Sequence, residues 1–154
     1  MGTIPLEHIR IHGHDIGYRR TGAGPALLLV HGMAGSSATW RAVMPALGAE
    51  HLVVAPDLLS RGTRVVCLAQ TFTALRRGRG RAFDDIEAVR AGVVADPACS
   101  GAVGVIGFCL GGGFALVLAG RPGWQAVVAH YGMLPRDLAA LDGACPVLAS
   151  YGAR

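Results

Sequence analysis

Val103-Gly-Val-Ile-Gly-Phe-Cys-Leu-Gly-Gly-Gly-Phe-Ala-Leu-Val-Leu118 sets one cysteine between glycines two residues away on either side. A β-branched run precedes Cys109 and a helix-forming run follows it. Three readings compete: a nucleophile on a sharp strand-to-helix turn, a buried structural thiol, and one face of a membrane helix. Length favours the last, since Pro97 to Gly120 carries no charged residue and about 20 apolar residues span a bilayer. Gly107-x-x-x-Gly111 also matches a helix-pairing motif. Against it stand seven glycines between Gly101 and Gly120, each costing about 1 kcal/mol relative to alanine inside a helix. The segment is therefore read as a buried strand, Ala102–Phe108, followed by a helix, Leu110–Ala119.

The same alternation extends in both directions. Upstream, Ala26-Leu-Leu-Leu-Val30 and His51-Leu-Val-Val-Ala-Pro56 are continuous apolar runs, as strands buried on both faces of a parallel sheet require. A hairpin around Gly13-His-Asp15 comes first. Trp40, Val43, Met44 and Leu47 share one helical face that Ser36 or Ser37 can cap, and Pro45 should kink or split that helix. Leu68, Phe72 and Leu75 suggest a short helix inside a long connection. Asp84-x-x-Glu87 reads as a capping box opening a helix with Ile86, Val89 and Val93 on its apolar stripe, and Asp96-Pro97 ends it. Downstream come strand Trp124–Ala129, a short helix Asp137–Leu141, and strand Cys145–Ser150. The pattern predicts an α/β fold with a doubly wound, mostly parallel sheet.

Composition narrows the function classes. At 154 residues, 52% hydrophobic and 16% charged, the chain fits one domain, 1–154, with its own core and no long disordered segment. All fourteen basic residues are Arg and the formal charge is +4. Arg76-Arg-Gly-Arg-Gly-Arg81 is similar to a nucleic-acid-binding tract, but no aromatic residue interleaves it to stack on bases, so it reads as a solvated loop entering a helix. No nucleic-acid or membrane partner is expected. Cys67, Cys99, Cys109 and Cys145 form no CxxC pair, which argues against zinc. The N-terminus has no apolar signal core, so reduced thiols in the cytoplasm are expected.

In doubly wound sheets, ligands gather at the carboxyl ends of the strands. Cys109 sits at such an end. A nucleophile on an abrupt strand-to-helix turn takes a strained backbone conformation, and residues two before and two after must be small to avoid collision. The thiol then lies over a helix N-terminus, where the dipole favours a thiolate and the N–H of Leu110 points to a nascent oxyanion. The second donor is expected from the loop after strand Ala26–Val30, His31-Gly-Met-Ala-Gly35, at the N–H of Met33.

From about Val53 onward the sequence resembles the dienelactone hydrolase family of α/β-hydrolases. The segments that carry the resemblance are Ala55-Pro-Asp-Leu58 with Ser60-Arg-Gly62, Gly78-Arg-Gly-Arg-Ala-Phe-Asp-Asp-Ile-Glu87, Asp96-Pro-Ala-Cys-Ser-Gly101, Val105-Ile-Gly-Phe-Cys-Leu-Gly-Gly-Gly-Phe-Ala-Leu116, Tyr131-Gly-Met-Leu-Pro135 and Cys145-Pro-Val-Leu-Ala-Ser-Tyr-Gly152. The resemblance implies that Cys109 is the nucleophile and that Met33 and Leu110 donate to the oxyanion. It also implies opening of enol-lactones or esters through a thioester, with no cofactor and no metal. Residues 1–52 differ: Leu28-Leu-Val-His-Gly-Met-Ala-Gly-Ser-Ser-Ala-Thr-Trp40 is similar to the oxyanion loop of serine-type α/β-hydrolases, so the chain reads as a hybrid. In the family a glutamate follows the loop histidine, and here Gly32 stands there.

The family pattern also places an acid after the strand matching Cys145–Ser150 and a histidine after one further strand. The sequence ends at Arg154, about where the acid would come. This implies a truncated domain whose sheet is incomplete at its C-terminal edge, with weak activity or an inactive fragment as the two expectations. After Cys109 the acids are Asp137 and Asp142, and the one histidine is His130. His130 either fills the floor of the pocket or forms a dyad with Cys109 as base. Asp57, at another strand end, reads as an acid or as an anchor for the loop around it. An unpaired edge near Cys145–Ser150 invites homo-oligomer formation.

Overall fold

A computed structural model describes residues 3–58 and 64–152, with side chains from Ala69 onward in the second segment. Among the described residues seven strands form one sheet: β1 (Glu7–Ile11), β2 (His14–Thr21), β3 (Gly24–Val30), β4 (Leu52–Pro56), β5 (Cys99–Phe108), β6 (Ala126–His130) and β7 (Val147–Ser150). Their spatial order is β1-β2-β4-β3-β5-β6-β7. The hairpin pairs antiparallel to β4, and every pair from β4 to β7 is parallel. The mostly parallel α/β sheet predicted from the apolar runs is thus observed. Crossovers run from β3 outward to β4, then back past β3 to β5. The order reverses between β3 and β5, and this is the crevice where such sheets bind ligands.

The helices are α1 (Met44–Leu47), α2 (Arg64–Arg77), α3 (Arg81–Val94) and α4 (Leu110–Ala119). One sheet face, carrying Ala26, Leu28, Leu52, Val103, Val105 and Val127, packs on α3 and α4 through Phe83, Ile86, Phe114 and Leu118. On the other face Leu29, Val53 and Ala55 pack beneath Trp40 and Met44. Pro97 to Gly120 divides between β5 and α4, and no described helix is long and apolar enough to cross a membrane.

Several boundaries differ from the sequence reading. The hairpin turns on His12 and Gly13, whose φ values of 48° and 80° suit a two-residue turn, one residue earlier than Gly13-His-Asp15. The helix through Trp40 and Leu47 is split into a 3-10 turn, Ser37–Trp40, capped by Ser36, and α1, with Pro45 in its first turn. The short helix around Phe72 is the fourteen-residue α2. Asp84-x-x-Glu87 does not open its helix, because α3 begins at Arg81 behind Gly80. Glu87 bonds Arg90 Nε at 2.8 Å and Trp124 Nε1 at 3.1 Å instead of reaching back to the helix start. The segment Ser60-Arg-Gly62 and the Cys67 side chain lie outside the described residues. Cys99, Cys109 and Cys145 are free thiols.

Candidate active site

Cys109 is the single residue between β5 and α4. Its backbone sits at φ 54°, ψ −117°, a left-handed conformation costing a non-glycine residue about 1–3 kcal/mol. Two backbone bonds hold it there: its N–H donates to His130 O at 3.0 Å, and its carbonyl accepts from Gly113 N at 3.1 Å. The flanking glycines are obligatory. A Cβ on Gly107 would lie 2.1 Å from Gly111 O, and one on Gly111 would lie 2.2 Å from Val30 O. The rest of the glycine triplet has a role the sequence reading missed. A Cβ on Gly112 would meet His130 O at 2.8 Å, so the triplet seats the first turn of α4 directly on the ends of β3 and β6. Cys109 is exposed.

The loop after β3 faces this turn across the crevice, because Val30 is in register with Gly107. A Cβ on Gly32 would stand 3.1 Å from Cys109 Cβ and 3.9 Å from its Sγ. Gly35 N–H donates to Gly32 O at 3.1 Å and Ala34 has φ 57°, so the loop turns tightly and leaves Met33 at its exposed tip. Among described groups, none accepts from the N–H of Met33 or of Leu110. His31 is buried, and its Nδ1 donates to Gly32 O at 2.8 Å. That hydrogen bond assigns it to shaping the loop. Asp57 is the loop's other anchor: its Oδ1 accepts from Ser37 N at 2.5 Å, and its own N–H donates to Gly17 O at 2.7 Å.

His130 ends β6 opposite Phe108. Its ring stacks on Phe108 at 4.4 Å and 17°, and its Nδ1 meets Ser150 Oγ at 2.6 Å. Among the described residues, no hydrogen bond joins His130 to the Cys109 thiol. The sequence reading has Ser150 only as the end of a strand and gives it no place in the site, although aligning the ends of β6 and β7 pairs it with His130. Of the acids after Cys109, Asp137 caps a 3-10 turn by accepting from Ala139 N at 3.0 Å, and Asp142 lies at that turn's other end. Tyr131 packs edge-on against Phe108 at 5.7 Å, and Tyr151 donates to Gly132 O at 2.9 Å. The result is an exposed thiol over a helix N-terminus, facing a tight loop and backed by an aromatic floor.

The sequence profile of the dienelactone hydrolase family matches residues 17–154, starting inside β2 and so earlier than the resemblance from Val53. The magnesium-chelatase 30 kDa subunit of Rhodobacter capsulatus is 32% identical over 144 residues, covering 84% of this chain and 47% of that protein. The soluble epoxide hydrolase of Corynebacterium sp. (strain C12) is 42% identical over 59 residues, which is 38% of this chain and 21% of that one. Among solved structures, the epoxide hydrolase CorEH superposes with a TM-score of 0.65 at 26% identity, over 84% of this chain and 43% of its own. The epoxide hydrolase VrEH1 from Vigna radiata gives 0.68 at 22% identity, over 88% and 42%. The chain spans less than half the length of each of these relatives.

Proposed function

The chain belongs to the dienelactone hydrolase family, and on that premise we propose that it opens lactones or esters through a thioester on Cys109. One observation carries the reading: an exposed cysteine held at φ 54° at the switch point between β3 and β5, on the first turn of α4. In the proposed reaction the thiolate sulfur bonds to the carbonyl carbon and the π pair moves to oxygen. The N–H groups of Met33 and Leu110 stabilise that oxyanion. As the carbonyl re-forms, the C–O bond to the leaving group breaks, and the alkoxide takes a proton from water. The hydroxide left by that water then attacks the thioester, the C–S bond breaks, and the carboxylic acid leaves with the thiolate restored.

The stacking of His130 on Phe108 and its bond to Ser150 support the floor role over the base role. Base assistance is commonly worth about 10² to 10⁴ in rate, so the described residues support slow turnover with a long-lived acyl enzyme. Free Cys99, Cys109 and Cys145 fit a cytoplasmic location. The test is hydrolysis of an activated ester by Cys109→Ala, with alkylation of the wild-type thiols near neutral pH read by mass spectrometry. Loss of turnover and preferential labelling of Cys109 are expected. Unchanged turnover, or a Cys109 that resists labelling, overturns the proposal.

A second reading, an inactive chain that self-associates, draws support from β7. That strand pairs with β6 alone among the described strands, and Leu148 on it is 65% exposed. Esterase activity from a monomer favours the first reading, and an inactive dimer the second.

A further inference from the structure

The arginine–glycine tract has no part in the Cys109 site, yet its side chains converge. Arg77, Arg79 and Arg81 line a cavity of about 460 Å³ between α2 and α3, with Gln70, Thr73 and Asp85 on its wall. The turn that gathers them is fixed. Arg79 N–H donates to Ala74 O at 3.2 Å, Gly78 N–H donates to Leu75 O at 3.2 Å, and Arg121 Nη2 donates to Gly78 O at 2.7 Å. Gly78 and Gly80 take φ 64° and 130°, which lets the chain reverse there.

Stability explains some of these charges and not others. Arg20 pairs with Asp96 at 2.6 Å, and Arg90 and Arg121 pair with Glu87 at 2.8 and 3.7 Å. Arg77, Arg79 and Arg81 have no carboxylate partner among the described residues, and the cavity's one acid, Asp85, is engaged by His12 Nδ1 at 3.0 Å. Arg77 closes α2, where a cation complements the helix dipole. Arg81 opens α3, where a cation opposes it, behind a glycine that offers no side-chain cap. The N–H groups of Arg81 and Ala82 have no described acceptor. Arg77, Arg79 and Arg81 thus bring three guanidinium groups to one cavity wall beside the N-terminus of α3, whose first turn sets a single acid, Asp84, against them.

We propose that this cavity binds a small phosphate monoester. Guanidinium groups hold phosphate oxygens by paired, charge-assisted hydrogen bonds, and the volume suits a small organic molecule better than a bare ion. Inorganic phosphate and phenyl phosphate are the probes, titrated into the full chain at ionic strength held constant with chloride and read by calorimetry and thermal unfolding. Saturable binding is expected, tighter for phenyl phosphate. Arg79→Gln with Arg81→Gln should raise the half-saturating concentration about tenfold or more. The same substitutions made singly carry the test if the double variant does not fold. Arg76→Gln, in the same tract but outside the cavity wall, should bind as wild type. The proposal is overturned if chloride alone reproduces the response, if the cavity variants titrate as wild type, or if the tract binds RNA in a salt-sensitive way without saturable phosphate binding.

Discussion

At the scale of single residues, Cys109 and its glycines agree from sequence to geometry because one steric demand fixes all three. The contrast with Gly92 makes this measurable. An alanine at Gly111 drives its Cβ into the carbonyl of Val30 at 2.2 Å, backbone against backbone with no side chain able to yield. Gly111→Ala should lower unfolding stability by about 3 kcal/mol or more, or prevent folding. Gly92 lies in the last turns of α3 with open space where a Cβ would go. Gly92→Ala should therefore raise stability by about 0.5–1 kcal/mol. Urea denaturation reads both, and similar effects from the two variants would discredit the turn geometry. What single-residue reading missed was relational. The sequence has no local mark for Gly112 seating on His130 O, or for Ser150 meeting His130, since both depend on strand alignment. Asp57 was legible only as a pair of alternatives, and its bond to Ser37 N favours the anchor.

Among the elements, the four central strands were legible because their runs are apolar on both faces: β4 and most of β3 are covered on both, and β5 and β6 carry Ile106 and Val128 on their half-covered face as well. Surface helices were less legible. The exposed Phe72 beside buried Ala74 and Leu75 blurs the stripe of α2, and the capping box failed because Glu87 is drawn to Arg90, Arg121 and Trp124. The hairpin shows another force the sequence hid. Tyr18 faces Glu7 in the register of β1 and β2, and its hydroxyl donates to Glu7 Oε2 at 2.8 Å. That bond first, and burial second, raise the phenol above its usual value of 10.0. A raised phenol means the folded state prefers the protonated form. Its contribution is therefore complete below about pH 10 and fades as pH climbs through the folded value. Burial raises Cys145 and Tyr151 in the same direction. Tyr18→Phe should lose about 1 kcal/mol near pH 8 and show a shallower decline between pH 8 and alkaline conditions than wild type. Equal slopes in urea titrations would show that the Tyr18–Glu7 bond does not hold the hairpin.

At the scale of the molecule, the two sheet faces are covered unequally, and the gradient follows strand register. One row crosses the sheet as Leu29, Ile106, Val128 and Leu148. It runs from 0% exposure at Leu29, beneath Trp40, through half-buried Ile106 and Val128 to 65% at Leu148. The opposite row, Leu28, Val105, Val127 and Val147, stays covered by α3 and α4 until its last member, which is 41% exposed. Apolar residues exposed along a strand whose outer edge has no described partner form a template for a further strand. If the self-associating reading holds, sedimentation velocity across micromolar concentrations should show mass rising with concentration. Leu148→Lys, at a surface position where substitution shifts stability by about 0.5 kcal/mol or less, should then return the chain to a monomer. The charge disfavours edge pairing without touching the covered core. A wild-type chain that stays monomeric throughout this range, with the Cys109 thiol turning over ester, would leave the edge without a partner and the hydrolase reading alone.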